Sequence, residues 1–186
     1  DVLIVIYDQV QLLDFAGPLQ TFVTAGERYA ESIKTAPKQR DFPGYRPIVV
    51  SNDGGNITSS SGVTVATKPL PERISSSATI IVAGGFGVDK ACKDVGLIKW
   101  LKAQSKSGHR ICSVCSGAFL LAEAGLLDGH MATTHWADCD RFARAYPSVR
   151  LDPNAIFTED RNVWTSAGIT AGIDLALALV ERDCSV

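Results

Sequence analysis

Short apolar segments rich in β-branched residues alternate along the chain with longer segments of helical periodicity. Residues 2–7 and 79–83 are almost entirely apolar, and residues 109–114 are predicted to form a third buried strand. Strands that are apolar on both faces are typical of a parallel sheet covered by helices on both sides, because a sheet with one wet face shows alternation instead. The pattern therefore restricts the chain to α/β architectures.

Helical segments separate these strands. Residues 17–29 are predicted as the first helix, with Pro18 in its first turn, and residues 89–106 as a later one. The other predicted elements are strands at residues 48–50, 62–67, 131–134, 155–158 and 163–165, and helices at residues 116–124, 137–145 and from residue 168. With a length of 186 residues, which suits one core, we expect a single domain over residues 1–186. The predicted fold is a doubly wound, flavodoxin-like, three-layer α/β fold with a mostly parallel sheet.

Two connections interrupt this alternation. Residues 31–46 contain two prolines and several basic side chains, and they exceed the usual length of such a connection. They are predicted to form either a solvated loop or a loop that lines a pocket or touches a partner. Residues 52–62, rich in Gly, Ser and Asn, are predicted to form turns.

Composition excludes several classes of function. The 18 Lys and Arg against 20 Asp and Glu give a net charge of −2, without the basic excess of a nucleic-acid-binding surface. No apolar run approaches the roughly 18 residues of a membrane span, and the first residues lack the features of a signal peptide. We expect a cytoplasmic protein that contacts neither membrane nor nucleic acid through this chain. Its five cysteines are expected to be free thiols.

Cys115 follows a predicted strand directly and precedes a predicted helix, in the run I-C-S-V-C-S-G-A-F-L-L-A of residues 111–122. A nucleophile in such a turn lies at the carboxyl edge of the sheet and needs small neighbours, here Ser113 and Gly117. The positive end of the following helix favours thiolate over thiol. Cys115 is the candidate nucleophile, and the alternative is a small buried cysteine at a strand end.

Two other interpretations involve the same cysteine. Cys112 and Cys115 have the spacing of a redox pair, but Cys112 falls inside the predicted strand rather than at the start of a helix. With His135 and Cys139 the two cysteines have the spacing of a zinc ligand set. The predicted position of the first two on a buried strand, rather than in a knuckle, argues against a zinc site. We therefore expect no metal site and no cofactor.

The candidate proton carriers are His135 and Asp14. His135 ends the predicted strand 131–134, which is expected to return to the sheet edge beside the cysteine, although a purely hydrogen-bonding histidine fits equally well. The other histidines, His109 and His130, are expected at the solvent edge. Asp14 follows the first strand among apolar neighbours that would raise its pKa, and its alternative role is a helix N-cap.

Backbone N–H groups complete the candidate site. The glycine-rich turn at residues 83–87 follows a predicted strand, so the N–H of Gly85 is a candidate oxyanion donor together with the N–H of Ser116.

Taken together, these motifs resemble the ThiJ/PfpI superfamily, which has the class I glutamine amidotransferase-like fold. The matching segments are residues 12–18, 83–85, 113–129, 132–136 and 165–174. They most resemble the N-terminal domain of AraC-type transcriptional regulators and, next, isonitrile hydratases. The resemblance implies that Cys115 is the elbow cysteine, that Asp14 contacts it, that Gly85 and Ser116 flank the oxyanion site, and that His135 lies nearby.

The chain departs from the wider superfamily in two ways. It has no histidine after His135, so glutaminase activity is not expected, and the helix-turn-helix region of the regulators does not follow within its 186 residues. The resemblance implies a domain that senses a small metabolite above Cys115. The alternatives are a stand-alone cysteine-dependent enzyme such as an isonitrile hydratase, and a redox sensor that uses an acidic Cys115. A homodimer is expected, since family members commonly dimerise.

Overall fold

The computed structural model describes residues 1–35, 44–105 and 109–184. Its strands are β1 (Val2–Val5), β2 (Pro47–Ser51), β3 (Asp53–Thr58), β4 (Thr64–Pro69), β5 (Thr79–Val82), β6 (Arg110–Val114), β7 (Met131–Ala132), β8 (Arg150–Leu151), β9 (Phe157–Asp160) and β10 (Val163–Ser166). Its α-helices are α1 (Leu12–Thr35), α2 (Val88–Ala91), α3 (Val95–Ser105), α4 (Gly117–Glu123), α5 (Cys139–Ala145) and α6 (Ala171–Cys184), with a 3₁₀ turn at Trp136–Asp138. The alternation predicted from sequence is confirmed.

Eight strands form one sheet in the order β3-β4-β2-β1-β5-β6-β10-β9. The six central strands, β4, β2, β1, β5, β6 and β10, pair in parallel with their neighbours. The two edge strands, β3 and β9, pair antiparallel. The predicted mostly parallel sheet is therefore confirmed. Because all its parallel strands point the same way, the loops after β1, β5 and β6 meet at one edge, where ligands bind in open α/β sheets.

Successive residues of β1 point into two different cores. Leu3 and Val5 pack with side chains of α3, α4 and α5, whereas Val2 and Ile4 pack with side chains of α1 and α6. All four are almost completely buried. The two cores on opposite faces of the sheet explain the uniformly apolar strands and confirm the three-layer arrangement.

Several predicted boundaries are wrong. Helix α1 begins at Leu12 rather than at residue 17, because the Asp14 N–H bonds to the Gln11 carbonyl and Phe15 packs in the core. Asp14 therefore lies in the first turn of the helix and is not its N-cap. Pro18 lies inside the helix rather than in its first turn.

The predicted helix at residues 89–106 is divided into α2 and α3. Asp94 separates them, since its carboxylate accepts the N–H of Leu97 and so caps α3. Within the segment predicted as turns, β3 pairs antiparallel with β4. An edge strand stabilised mainly by its backbone ladder needs no apolar pattern, so its sequence gave no strand signal.

Strand β7 does not join the main sheet, contrary to prediction; it pairs with β8 in a separate two-stranded sheet. The reason lies in the residues that follow it. Thr133 donates its N–H to the side chain of Thr165, and the Thr134 hydroxyl donates to the carbonyl of Cys115. Side-chain bonds, rather than a ladder, bring residue 135 to the cysteine.

Other predictions have mixed outcomes. His109 is 2% exposed and not at the solvent edge, because it leads into β6 in the middle of the sheet. All five cysteines are free thiols. The predicted loop at residues 31–46 lies partly outside the described residues, and α1 extends to Thr35. Within the described ranges, no helix combines the length and apolarity needed to cross a membrane.

At the edge of the sheet opposite Cys115, an ion pair fastens the end of α6. Arg110 donates from Nη1 and Nη2 to the two carboxylate oxygens of Asp183, at 2.8 and 2.6 Å, and from Nε to the hydroxyl of Thr79. Tyr45 donates its hydroxyl to the same carboxylate at 2.9 Å. Each side chain of the ion pair is 20% exposed, so removing one charge leaves the other poorly solvated.

We predict that Asp183→Ala lowers the free energy of unfolding by about 2 kcal/mol, because it leaves the partly buried Arg110 guanidinium without its carboxylate partner. Urea unfolding measures the change. The control is Glu72→Ala at an exposed position, expected to change stability by no more than about 0.5 kcal/mol. Equal losses in the two variants would show that the ion pair contributes nothing.

Candidate functional site

Cys115 occupies the turn between β6 and α4 in a strained backbone conformation. Its φ of 58° lies in the left-handed region, which residues other than glycine rarely adopt. The turn is held because the Cys115 N–H donates to the carbonyls of Ser166 and Ala167, at 3.0 and 3.2 Å. The residue is 8% exposed, so its thiol lies at the floor of the site. This is the geometry of the predicted elbow.

Two glycines allow the close contacts around the elbow. A Cβ on Gly117 would lie 2.3 Å from the carbonyl oxygen of Val82, so α4 can pass this close to β5 only with glycine there. A Cβ on Gly168 would lie 2.3 Å from Cδ2 of His135 and 3.4 Å from Sγ of Cys115. Gly168 thus lets the imidazole and the thiol approach the same point of the chain.

Asp14 reaches Cys115 from the first turn of α1. It is fully buried, and its Oδ1 accepts the N–H of Ile169 at 3.1 Å. Its Oδ2 has no hydrogen-bond partner of good geometry within the described residues. A Cβ placed on Gly84 would lie 2.8 Å from both this oxygen and Cβ of Cys115, which places the carboxyl beside the cysteine.

Burial controls the protonation of this pair. Burial raises the pKa of Asp14 to about 6, against the opposing effect of hydrogen bonding from Cys115 and Ile169. Burial, reinforced by the Asp14 charge, raises the pKa of Cys115 to about 12, although the Ser116 N–H acts in the opposite direction. These shifts oppose the predicted thiolate, and they favour a thiol beside a carboxylate at neutral pH.

His135 lies next to this pair, just before the 3₁₀ turn. Its ring is partly buried, packs on Trp136 with centroids 5.4 Å apart, and lines the same cavity as Cys115. Its ring nitrogens have no hydrogen-bond partner in the part of the chain that is described. The imidazole is thus free to bond to a ligand.

Gly85 and Ser116 also meet at the site, but they bond to each other. The N–H of Gly85 donates to Oγ of Ser116 at 2.9 Å, and that hydroxyl faces the Gly85 carbonyl at 3.4 Å. The Gly85 N–H becomes available to a ligand only if the Ser116 hydroxyl turns away. The oxyanion role of both residues stays a prediction.

A cavity of about 490 Å³ opens above the thiol. Its lining comprises Gln11, Gly85, Phe86, Val88, Asp89, Cys115, Ser116, His135, Ala137, Asp138, Arg141 and Ile169. At its mouth Phe86 is 85% exposed. The sequence-predicted residues Cys115, Gly85, Ser116 and His135 all border this cavity, and Asp14 lies behind the cysteine.

Sequence reasoning missed Ile169 and Arg141. Ile169 lies within the segment 165–174 that carries a family motif, so its place near the cysteine had a signal, but Arg141 had none. Cys112 lies completely buried on β6 rather than in the cavity. Across the described ranges, no group of three or more His, Cys, Asp or Glu side chains is arranged to hold a metal ion.

Comparison with known proteins identifies related sequences. A sequence model described as the DJ-1/PfpI family matches residues 1–182. The HTH-type transcriptional regulators CdhR and GbdR of Pseudomonas aeruginosa are 37% and 33% identical over 74% and 75% of this chain, which covers 40% and 37% of those proteins. This chain therefore spans less than half of their length. Isonitrile hydratase of Pseudomonas putida is 31% identical over 95% of this chain and 69% of its own.

Solved structures share the fold. An AraC family transcriptional regulator from Pseudomonas putida superposes with a TM-score of 0.79 at 22% identity, over 97% of this chain and 90% of that one. A ThiJ/PfpI family protein from Pseudomonas syringae gives a TM-score of 0.78 at 25% identity, over 97% and 67%. DJ-1beta of Drosophila melanogaster gives a TM-score of 0.79 at 16% identity, over 100% of this chain and 90% of that one. The predicted α/β fold is confirmed.

The raised pKa of Asp14 has a consequence for stability. A carboxyl whose pKa is higher in the folded state than the ordinary aspartate value of 3.8 favours folding when protonated, and this contribution is lost as pH rises through about 6. Asn resembles the protonated acid and does not titrate. We predict that Asp14→Asn is more stable relative to wild type at pH 8 than at pH 4, by about 3 kcal/mol.

Urea unfolding of both proteins at the two pH values measures this difference. Glu72→Gln, at an exposed position, is the control and is expected to leave the pH dependence unchanged. An Asp14→Asn effect of equal size at pH 4 and pH 8 would mean that the buried carboxyl is not the titrating group.

Proposed function

Because the chain belongs to the DJ-1/PfpI family, we propose that it is the ligand-sensing part of an AraC-type transcriptional regulator. The observation that carries this proposal is the cavity of about 490 Å³ above Cys115. Its volume lies within the range of small-molecule sites, roughly 300 to 1,000 Å³. Its lining combines apolar groups such as Phe86 and Ile169 with six polar or charged side chains, which can fix the orientation of a polar metabolite.

The state of the cysteine favours binding over attack. A thiol with its pKa raised to about 12 is a poor nucleophile at neutral pH, since the thiolate is the reactive form. The Gly85 N–H, a candidate for stabilising developing charge, is bonded to Ser116. The same raised pKa argues against the redox sensor, because susceptibility to oxidation follows thiolate character.

Helix α6 provides a route by which occupancy affects the rest of the molecule. Ile169, which lines the cavity and bonds to Asp14, lies two residues before α6 begins. The other end of α6 is fastened to β6 through Asp183 and Arg110 at the opposite edge of the sheet. A ligand that displaces Ile169 therefore acts on a helix spanning the molecule. In this proposal DNA is bound by a separate domain of the regulator, and the protein is a homodimer.

A thermal-shift screen tests the sensing function. We predict that at least one compound in a panel of small amino acids, amines and carboxylic acids raises the melting temperature by about 5 °C or more at 100 times its Kd. Ala137→Phe, which fills the cavity, is expected to abolish the shift. Ala143→Phe is the matched control, because Ala143 is exposed on helix α5, which follows the turn carrying Ala137, and does not line the cavity. A shift that survives Ala137→Phe would place the ligand elsewhere.

Isonitrile hydration is the second candidate, favoured by the carboxylate of Asp14 beside the Cys115 thiol. In that reaction Sγ adds to the terminal isonitrile carbon while the thiol proton passes through Asp14 to the same carbon, which gives a thioimidate. Water, activated by His135, then adds to this carbon, and expulsion of the thiol leaves an N-substituted formamide. All atoms of the isonitrile and of one water are retained in the product.

The two candidates predict different outcomes with cyclohexyl isocyanide. If the protein is a sensor, formamide production followed by NMR stays at the rate of the Cys115→Ala variant. Turnover by wild type that both Cys115→Ala and Asp14→Asn abolish would establish the hydratase instead.

A further inference from the structure

Arg141 lies on α5 in the wall of the Cys115 cavity, and its guanidinium is fixed on one side. Its Cζ lies 4.2 Å from the centroid of the Phe119 ring, a cation–π contact. Its Nη1 donates to both carboxylate oxygens of Asp89, at 3.0 and 3.1 Å. These contacts orient the planar group, which reduces the conformational entropy lost when it binds a ligand.

The opposite edge of the guanidinium makes no hydrogen bond within the described residues. Nε is buried but has no hydrogen-bond partner among the described residues, and Oδ1 of Asp138 lies 3.5 Å from it. Nη2 likewise has no hydrogen-bond partner within the part of the chain that is described. A buried donor without a partner is unusual in a native structure and calls for one, such as a ligand.

Two N–H groups side by side on a rigid plane match the two oxygens of a carboxylate. We propose that Arg141 binds the carboxylate of the sensed molecule through Nε and Nη2, with the rest of the molecule over Cys115. The proposal rests on the proposed sensing function and assigns its ligand to the class of small carboxylic acids.

The charges around Arg141 bear on this assignment. Asp89 neutralises the guanidinium from the far side, and Asp138 adds a further negative charge next to the open edge. A ligand carboxylate must therefore take the place of Asp138 at Nε. Asp138 is free to turn away, since its side chain is 30% exposed and its distance to Nε is too long for a good hydrogen bond. Repulsion from Asp138 then limits affinity for the ligand.

Paired alkylating reagents test the proposal on the intact protein. Iodoacetate and iodoacetamide attack the same thiol and differ in whether they carry a carboxylate. The pair 3-iodopropionate and 3-iodopropionamide is longer by one methylene group, so its carboxylate can reach Arg141 over a larger distance from the Cys115 sulfur. Peptide mass spectrometry gives the acid-to-amide rate ratio at Cys115, and the same ratio at Cys184, beyond the opposite edge of the sheet, is the internal control.

Arg141→Lys keeps the charge but not the two-donor edge, so we expect the Cys115 ratio to fall about fivefold for at least one pair. Asp138→Asn removes the competing carboxylate, and we expect the ratio to rise about threefold. The ratio at Cys184 is expected to stay constant in both variants. An unchanged Cys115 ratio in Arg141→Lys, or one that fails to rise in Asp138→Asn, overturns the proposal.

The test separates this proposal from the one on which it rests. If both reagents of a pair modify Cys115 and the acid-to-amide rate ratio is the same in wild type and Arg141→Lys, only the assignment of a carboxylate ligand fails. The reactions are run at pH 10, where about one per cent of a thiol with a pKa of about 12 is ionised and able to react. If Cys184 reacts there and Cys115 reacts with no reagent, the cavity does not admit small molecules, and both proposals are overturned.

Discussion

The left-handed turn at Cys115 is the constraint on which the site depends. A non-glycine residue at φ 58° is held there only because neighbouring groups prevent relaxation. The carbonyls of Ser166 and Ala167 accept its N–H, and Thr134 donates to its carbonyl. These bonds bring the segments carrying Gly168 and His135 to the thiol. The same hydrogen bonds that maintain the strained turn therefore also assemble the cavity walls.

Burial then decides what this turn does chemically. The first N–H groups of α4 favour a thiolate, but α4 is only seven residues long and the thiol is almost completely enclosed. Desolvation and the adjacent Asp14 carboxylate outweigh the N–H groups and keep the proton on sulfur. An elbow cysteine is thus compatible with a binding site as well as with an enzyme, and the surrounding carboxyl and cavity determine which of the two it serves.

Sequence patterns predicted the central sheet and the elbow because each depends on local features: buried strands are uniformly apolar, and Cys115 has small residues beside it. They failed where tertiary contacts decide the outcome. Asp14 falls inside a helix because Phe15 packs in the core, and β3 exists because β4 lies beside it. The role of Arg141 depends on a ring and a carboxylate from other helices, which no spacing in the sequence reveals.

At neutral pH Cys115 is expected to be a protonated thiol next to an ionised Asp14. The rate of Cys115 alkylation by iodoacetamide, measured as a function of pH, distinguishes this state from a thiolate. We expect the rate to keep rising tenfold per pH unit above pH 9, and the thiol pKa to be lower in Asp14→Asn, where the adjacent negative charge is removed. A wild-type rate that reaches its plateau below pH 7 would show that the thiolate is already formed at neutral pH and that burial does not hold the proton on sulfur.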